Sequence, residues 1–337
     1  ATDARANFRL GSLSLGAVLT DRQYAQGVGY NRVAGPDFVW QIDRNQLMRA
    51  QVLMSTTNAQ MNAQGNLARA NTTNGHAAYF DWSRGNDAWG MSVNVRDFSK
   101  DFRADNGFFS QVGFRSINSE VTKKFGRTGV LNEFNTYISA EYKVDSEGNV
   151  LSKILTPGVR IAGPFDSSAY LNLSPTVRSR VNQDGELFSI GRIAGGLAAS
   201  PGKRIARIST DFTVGDVIDI MANRLGRGGS YSMSAKLRPI DRLELEPSFA
   251  TNWIDRDHLQ GGQTSERTYK ETALQINSIL HLSAKDTIRM ILQDASTKRD
   301  PKAYQQAVAP HSSRSVSSFV YTHRAGVGSA IYLGWTV

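Results

Sequence analysis

The sequence WGMSVNVRDFSKDFRADNGFF, residues 89–109, decides the fold class of this chain. From Trp89 to Val95 every second residue is apolar, and the residues between them are Gly, Ser and Asn. This period of two predicts a β-strand with one apolar and one wet face. The stretch then continues through charged residues into Arg-Ala-Asp-Asn-Gly, as a strand does when it leaves an apolar medium for water.

The same alternation recurs along most of the 337 residues, for example from Phe134 to Tyr142 and from Ile288 to Leu292. Nowhere does it give way to the roughly 18 consecutive apolar residues that a membrane helix needs. Turn residues such as Gly, Asn, Asp and Ser separate the alternating runs, which gives about 18 strands, with 16 as the alternative. No linker or change of composition divides them, so residues 1–337 are predicted to form a single outer-membrane β-barrel domain.

Three local predictions concern the N-terminal hairpin, one polar stretch and the tryptophans. The first residues are predicted to form a hairpin about Gly11-Ser12, with strands on either side of this turn. The polar stretch from Thr56 to Gly75 is rich in Asn, Gln and Ala, and its lack of apolar alternation predicts a long loop outside the sheet. The five tryptophans are predicted near strand ends, where an interfacial girdle would place them: Trp40, Trp82, Trp89, Trp253 and Trp335.

The predicted architecture is all-β, a closed antiparallel transmembrane β-barrel. An open sheet of this width would expose long edges, and a sandwich would need uniformly large apolar residues on its hidden face. Here one face is thinly but consistently apolar and the other carries many charges. Lipid would take the first face and water the second, which predicts the outer membrane of a Gram-negative bacterium, with its lipid as partner.

The charged face supplies the candidate site residues. Candidates for lining the lumen are Arg49, Asp81, Asn94, Arg96, Glu120, Lys124, Arg207, Asp211, Glu244 and Arg289. Candidates for an inward-folded loop or a constriction are Arg103, Asp105 and Asn106. A turn with paired charges that holds two strands in register is an equally good explanation of these last three residues.

Three stretches resemble the best-marked parts of a family of uncharacterised bacterial outer-membrane barrels. They are Ala-Val-Leu-Thr-Asp-Arg at 17–22, Tyr-Asn-Arg-Val-Ala-Gly-Pro-Asp at 30–37 and Asp-Phe-Arg-Ala-Asp-Asn-Gly-Phe-Phe at 101–109. In that family the barrel commonly follows an N-terminal domain resembling a family-9 carbohydrate-binding module. The resemblance covers the first third of the chain and implies the barrel and its location, but no activity and no catalytic residue. The N-terminal residues lack signal-peptide character, so the sequence is expected to begin after processing or at an arbitrary boundary.

Other chemistry has little support in the sequence. The chain has no cysteine, and its five histidines are scattered without the spacing of metal ligands. The net charge of +9 comes from 39 basic residues spread among 30 acidic ones, which predicts a solvated surface and no nucleic-acid partner. The pair Asp257-His258 lies in no recognisable catalytic motif. We therefore expect no enzymatic activity, no cofactor and no metal.

The predicted function is an aqueous channel or translocation conduit, because barrels of roughly 16 to 18 strands usually enclose a water-filled path. The excess of positive charge predicts a weak preference for anions. The alternative is a structural barrel that is plugged by its own loops or binds a protein partner in an envelope complex. A barrel enzyme is the least supported reading.

Overall fold

The computed structural model describes residues 1–61, 67–107, 111–180, 185–256, 267–326 and 328–337. Its strands are β1 (Thr2–Leu10), β2 (Leu13–Tyr24), β3 (Gly29–Asp43), β4 (Gln46–Met61), β5 (Leu67–Gly85), β6 (Trp89–Phe98), β7 (Phe114–Thr128), β8 (Leu131–Asp145), β9 (Val150–Gly163), β10 (Ser167–Arg180), β11 (Leu187–Ala199), β12 (Ile205–Asp219), β13 (Arg224–Ile240), β14 (Leu243–Arg256), β15 (Arg267–His281), β16 (Asp286–Arg299), β17 (His311–Gly326) and β18 (Ser329–Thr336). Short 3-10 turns lie at Ala25–Gly27 and Pro301–Ala303.

The strands belong to one 18-stranded sheet in which consecutive strands pair. The ladders from β1 to β7 and from β11 to β18 are antiparallel throughout. The predicted all-β antiparallel fold and the count of about 18 strands are therefore confirmed. The predicted hairpin is present as well, since β1 and β2 pair from Leu10 and Leu13 outward. Closure of the sheet into a barrel and its passage through a membrane stay predictions.

The chain divides into two compact units. Unit 1 comprises Ala1–Lys124, Tyr137–Thr156 and Val177–Leu187. Unit 2 comprises Phe125–Thr136, Pro157–Thr176 and Phe188–Val337.

The registers give unit 1 one apolar and one polar face, because directly opposed residues point to the same side of a sheet. One row of opposed residues crosses β3 to β7 as Phe38, Ala50, Phe80, Val95 and Ile117. A neighbouring row on the other side contains Arg49, Asp81, Asn94 and Asn118. We call these sides the apolar face and the polar face.

Unit 2 has the same two faces. An apolar row crosses β13 to β15 as Met233, Phe249 and Leu274. Two rows of small or hydrophilic residues cross the polar face from β12 to β16: Asp211, Ser232, Ala250, Ala273 and Ala295 in one, and Ser209, Ser234, Ser248, Gln275 and Gln293 in the other. The alternation in the sequence thus corresponds to the faces of the sheet.

Many large side chains of the apolar face are exposed. Met54 retains 60% of its accessible surface, Leu19 51% and Leu197 52%. Further exposed apolar side chains occur on the apolar faces of both units: Leu15, Val52, Met91, Ile117, Val121, Ile193, Phe212, Val214, Met233, Leu274, Met290, Leu292 and Phe319. Exposed apolar surface on this scale is typical of a surface that binds a membrane or another protein. Among the described residues no helix is long and apolar enough to cross a membrane.

The longest connections between strands follow even-numbered strands, although three connections of that set are turns of four residues, at 25–28, 146–149 and 220–223. Those after the odd-numbered strands β1 to β15 are turns of two to five residues, at 11–12, 44–45, 86–88, 129–130, 164–166, 200–204, 241–242 and 282–285. The two longest described connections follow even-numbered strands, at 99–113 after β6, of which 108–110 lie outside the described residues, and at 300–310 after β16. Short turns alternating with longer loops are typical of outer-membrane barrels.

The predicted loop from Thr56 to Gly75 is wrong. The β4–β5 ladder continues through this stretch, with Thr57 opposite Thr73 and Thr56 opposite Asn74. Backbone hydrogen bonds hold such a ladder whatever the side chains are, and the Thr56 hydroxyl adds a 3.0 Å hydrogen bond to Asn74. Apolar alternation predicts a strand only where one face of the strand is apolar. A strand with two polar faces lacks this pattern and is not predicted by it. Residues 62–66 of this stretch lie outside the described residues.

Candidate functional site

Residues 99–113 are called the β6–β7 segment, and its described parts, 99–107 and 111–113, lie on the polar face of unit 1. The segment starts by bonding to β5, where the Ser99 N–H donates to the His76 carbonyl at 3.0 Å. The His76 N–H in turn donates to Ser99 Oγ at 2.8 Å. Its polypeptide therefore turns back over the sheet directly after β6.

A glycine allows the segment to approach β5. A Cβ atom added to Gly75 would lie 2.3 Å from the backbone nitrogen of Phe102 and 2.4 Å from its Cα. No real side chain tolerates such distances to backbone atoms, and the backbone of the segment could not shift without losing its other contacts. Gly75 is therefore required for the close approach of the β6–β7 segment to β5.

Phe102 anchors the segment in an apolar pocket on this otherwise polar face. The pocket is formed by Val33, Leu53, Ala77 and Phe98, all of them buried, and only 3% of Phe102 remains exposed. The rings of Phe98 and Phe102 meet edge to face with centroids 6.0 Å apart. Burial of one phenylalanine side chain contributes about 2 to 3 kcal/mol, so Phe102 supplies a large part of the attachment.

Asn31 holds the backbone of the segment on both sides of Ala104. Its Nδ2 donates to the Arg103 carbonyl at 2.9 Å, and its Oδ1 accepts from the Asp105 N–H at 2.9 Å. Nδ2 also donates to Thr57 Oγ1 at 2.6 Å. Only 1% of Asn31 is exposed, so these bonds form away from water and their loss would leave buried polar groups unsatisfied.

Arg103 and Asp105 bind to each other and to the sheet. Arg103 Nε lies 2.7 Å from Asp105 Oδ1, and the Arg103 guanidinium also donates to the Ala59 carbonyl. The second oxygen of Asp105 accepts from the Tyr24 hydroxyl at 2.5 Å. Arg22 donates to the Asp105 carbonyl and lies 5.3 Å from the centre of the Tyr24 ring. The motif thus attaches the segment to β2, β3 and β4, and it does not form a tight turn between β6 and β7.

Two further contacts lie toward the ends of the segment. Asn106 Nδ2 donates to Asp3 Oδ1 on β1 at 2.9 Å. On the returning part, Gln111 accepts from Lys143 Nζ at 2.6 Å, and Lys143 lies 4.1 Å from the centre of the Phe114 ring. The segment therefore has contacts from β1 to β8 within unit 1.

The structure places all ten predicted lumen residues on the polar face of their unit, as their registers require. Three of them are joined, because Asp81 Oδ1 accepts from Asn94 at 2.7 Å and from Arg96 at 2.8 Å. Lys124 donates to the Asn86 carbonyl in the β5–β6 turn. Whether these residues line a lumen, and whether Arg103, Asp105 and Asn106 narrow one, stay predictions. Phe108 and Phe109 lie outside the described residues.

Sequence reasoning missed Gly75, Asn31 and Phe102. A signal for them was present, because Val33, Leu53 and Phe98 are apolar residues at positions whose register belongs to the polar face. Apolar residues on the wrong face of a strand mark a place that something covers. The alternation alone does not show what covers it.

The connection 300–310 lies against unit 2 through Asp300, whose N–H donates to the Thr268 carbonyl, and through the ring of Tyr304. The Tyr304 hydroxyl donates to Asp219, and burial, followed by this carboxylate, raises the pKa of Tyr304. Arg224 Nη2 lies 3.1 Å from Asp219 Oδ2 and 5.6 Å from the centre of the Tyr304 ring. This attachment depends on hydrogen bonds, charges and one ring, whereas the β6–β7 segment has an apolar pocket.

Histidine and acidic side chains form no group of three or more that could hold a metal ion within the part of the chain that the structure describes. His76 lies 3.5 Å from Asp97, and His323 lies 2.7 Å from Asp286. The pair Asp257-His258 lies outside the described residues. The expectation that the protein binds no metal stays a prediction.

Comparison with known proteins finds similarity among solved structures. No protein-family model matches the chain, and no curated protein matches it. Among solved structures the chain is similar to "Copper transporter OprC", with a TM-score of 0.48 and 7% sequence identity over 93% of this chain and 62% of that one. The chain thus spans less than two thirds of that protein, and a similarity of this degree gives no information about function. The family resemblance of the sequence stays a prediction.

Proposed function

We propose that the chain forms an outer-membrane β-barrel whose polar face encloses an aqueous channel or conduit. The exposed apolar faces carry the proposal, because exposed side chains such as Leu19 and Met54 in unit 1 and Leu197 in unit 2 would be unfavourable in water and suit lipid. Closure would pair the edge strands and remove the unpaired backbone groups that no membrane tolerates. The position of the two longest described connections, both after even-numbered strands, supports the same arrangement.

In this arrangement the β6–β7 segment would narrow the channel beside β2 to β6. The charged residues of the polar face would line the remaining path, and the positive net charge of the chain would favour anions weakly. Screening reduces the effect as salt rises, because the Debye length falls from about 10 Å at 0.1 M to about 3 Å at 1 M.

Conductance in planar bilayers tests the proposal. The purified protein should give discrete steps, and a KCl gradient should give a reversal potential with a small preference for chloride. Charge reversal by Arg96→Glu and Arg289→Glu should lower or invert that preference, whereas Arg267→Glu should change it little, because Arg267 is the first residue of β15 and lies at the end of the strand. A cation preference of the unmodified protein would contradict the selectivity.

The second candidate function is a barrel that its own segment plugs and that serves as a structural or partner-binding element of the envelope. The observation that favours it is the attachment of the β6–β7 segment to strands from β1 to β8. Absence of conductance in the unmodified protein, combined with conductance after Gly75→Val displaces the segment, would favour this candidate over an open channel.

A further inference from the structure

The cleft beside the β6–β7 segment contains two basic side chains that form no ion pair with a carboxylate among the residues that the structure describes. Its volume is about 620 Å³, and its walls include Arg22, Tyr24, Lys100, Asp101 and Asp105. Asp105 accepts a hydrogen bond from Tyr24 and forms an ion pair with Arg103, so the charges of Asp105 and Arg103 compensate each other. The remaining ionic side chains of the cleft are therefore two basic and one acidic.

Arg22 is held in place without losing its charge. Its guanidinium donates to a neutral acceptor, the carbonyl of Asp105, and lies over the ring of Tyr24. Both contacts fix the side chain and leave further N–H groups for a ligand. An arginine fixed in this way recognises planar or tetrahedral oxyanions through two parallel hydrogen bonds.

Lys100 and Asp101 complete the ionic groups of the cleft. Both are exposed, and neither side chain forms an ion pair or hydrogen bond with any other residue that the structure describes. Lys100 supplies a second positive charge beside Arg22, while Asp101 would oppose an anion. The net charge available to a ligand is thus +1.

We infer that this cleft is a binding site for small oxyanions of the phosphate type, held by Arg22 and Lys100. The inference rests on the proposed channel only in placing this site along the path of the solute. In that case the anion preference would come from this local site and not from the average charge of the polar face. Asp101 keeps the affinity weak, as a channel requires for release of its solute.

Binding of inorganic phosphate to the detergent-solubilised protein tests the site without any need for conductance. Broadening of the ³¹P resonance should report millimolar affinity at low salt. Lys100→Ser should weaken binding about fivefold and Arg22→Ser/Lys100→Ser at least about tenfold, because each removes a charge-assisted contact. Asp101→Asn should tighten binding about threefold, since it removes a repulsive charge.

The matched control is Arg242→Ser/Lys285→Ser. It removes two positive charges from the turns 241–242 and 282–285, where neither side chain forms a hydrogen bond or ion pair with another described residue. Lys100→Ser removes no hydrogen bond or ion pair between described residues, so its effect on binding should not come from a change in folding. Equal weakening in the control and the double variant, or no phosphate binding by the unmodified protein, would overturn the site. Conductance without phosphate binding would support the channel and contradict the oxyanion site. Phosphate binding without conductance would support the oxyanion site and contradict the channel.

Discussion

The polar faces of the two units differ in what lies on them. In unit 1 the polar face of β3 to β6 carries a buried apolar pocket with the β6–β7 segment upon it, and Ser55 is only 2% exposed. In unit 2 the polar face of β12 to β15 carries small residues, and Ser234 and Ala250 are exposed. Both faces belong to antiparallel ladders of similar strands. The difference therefore comes from a few side chains and not from the architecture.

Three features distinguish the covered face. It has an apolar pocket for Phe102, a glycine at the point of closest approach, and a buried amide at Asn31 that satisfies the backbone of the segment. The small residues of unit 2 make room on its face without attaching anything to it. Space alone does not attach a loop to a sheet, since a loop needs apolar burial and partners for its backbone.

The largest expected effect is that of Gly75→Val. The new side chain would occupy the position of the Phe102 backbone, so the segment would leave the face and its apolar burial would be lost. We expect a decrease in the free energy of unfolding on the order of 4 kcal/mol, as for other losses of a large buried side chain. Denaturant unfolding in detergent, followed by tryptophan fluorescence, measures it, and trypsin should then cleave after Lys100 or Arg103.

Gly85→Val on the same strand is the control, because a Cβ atom there meets nothing closer than 3.8 Å. Similar losses of stability in both variants would show that valine disturbs β5 itself and that the segment has no special need for Gly75.

Asn31→Ala should have the next largest effect. It removes the acceptor of the Asp105 N–H and the donor to the Arg103 carbonyl in a buried site, and should cost about 2 kcal/mol. The same unfolding experiment measures the loss. Asn118→Ala is the matched control, because Asn118 lies on the polar face of β7 and its side chain forms no hydrogen bond with another described residue. Equal effects of the two substitutions would refute the role of Asn31.

Thiol accessibility compares the two polar faces directly. Ser55→Cys lies beneath the segment, whereas Ser234→Cys lies on the open face of unit 2. We expect a small water-soluble maleimide to modify Ser234→Cys at least about tenfold faster, because modification of the buried thiol requires local opening. Adding Gly75→Val should bring the two rates together, and equal rates before that change would show that the segment does not cover the face.

A related labelling experiment tests the assignment of faces. Cysteine at Asn94, Gln275 or Arg289 should react with the same reagent, while cysteine at Val93, Ile276 or Met290 should be shielded by detergent or lipid. The reverse pattern would show that the two faces are exchanged, since a shift of one residue exchanges them.

The smallest expected effect concerns Tyr304. Its pKa is raised above that of an ordinary tyrosine, so its protonated form stabilises the fold below pH 10 and this contribution is lost as the pH rises through the folded pKa. Unfolding midpoints measured between pH 9 and pH 11 should fall less steeply for Tyr304→Phe than for the unmodified protein. The exposed Tyr332→Phe should follow the unmodified protein, and a change of slope in that control would contradict the assignment.

Much of the fold followed from the sequence. Alternation such as that of Trp89–Phe98 predicted the strands, their faces and a number close to 18, because a strand between an apolar and a wet medium must alternate with period two. The hairpin about Gly11-Ser12 followed from turn residues for the same local reason. The extension of β4 and β5 through 56–75 was missed, because its backbone pairing needs no apolar face.

The sequence by itself determined which residues share a face, since that depends only on counting along a strand. It also marked Arg103 and Asp105 as residues of interest, but not their partners. Only the tertiary structure decided that Phe102 lies over Gly75, that Asn31 holds the backbone beside it, and that Arg22 and Lys100 border one cleft. These contacts join residues up to about 80 positions apart in the chain. Their distance in space depends on how the strands pair and on where a long connection buries its apolar side chain.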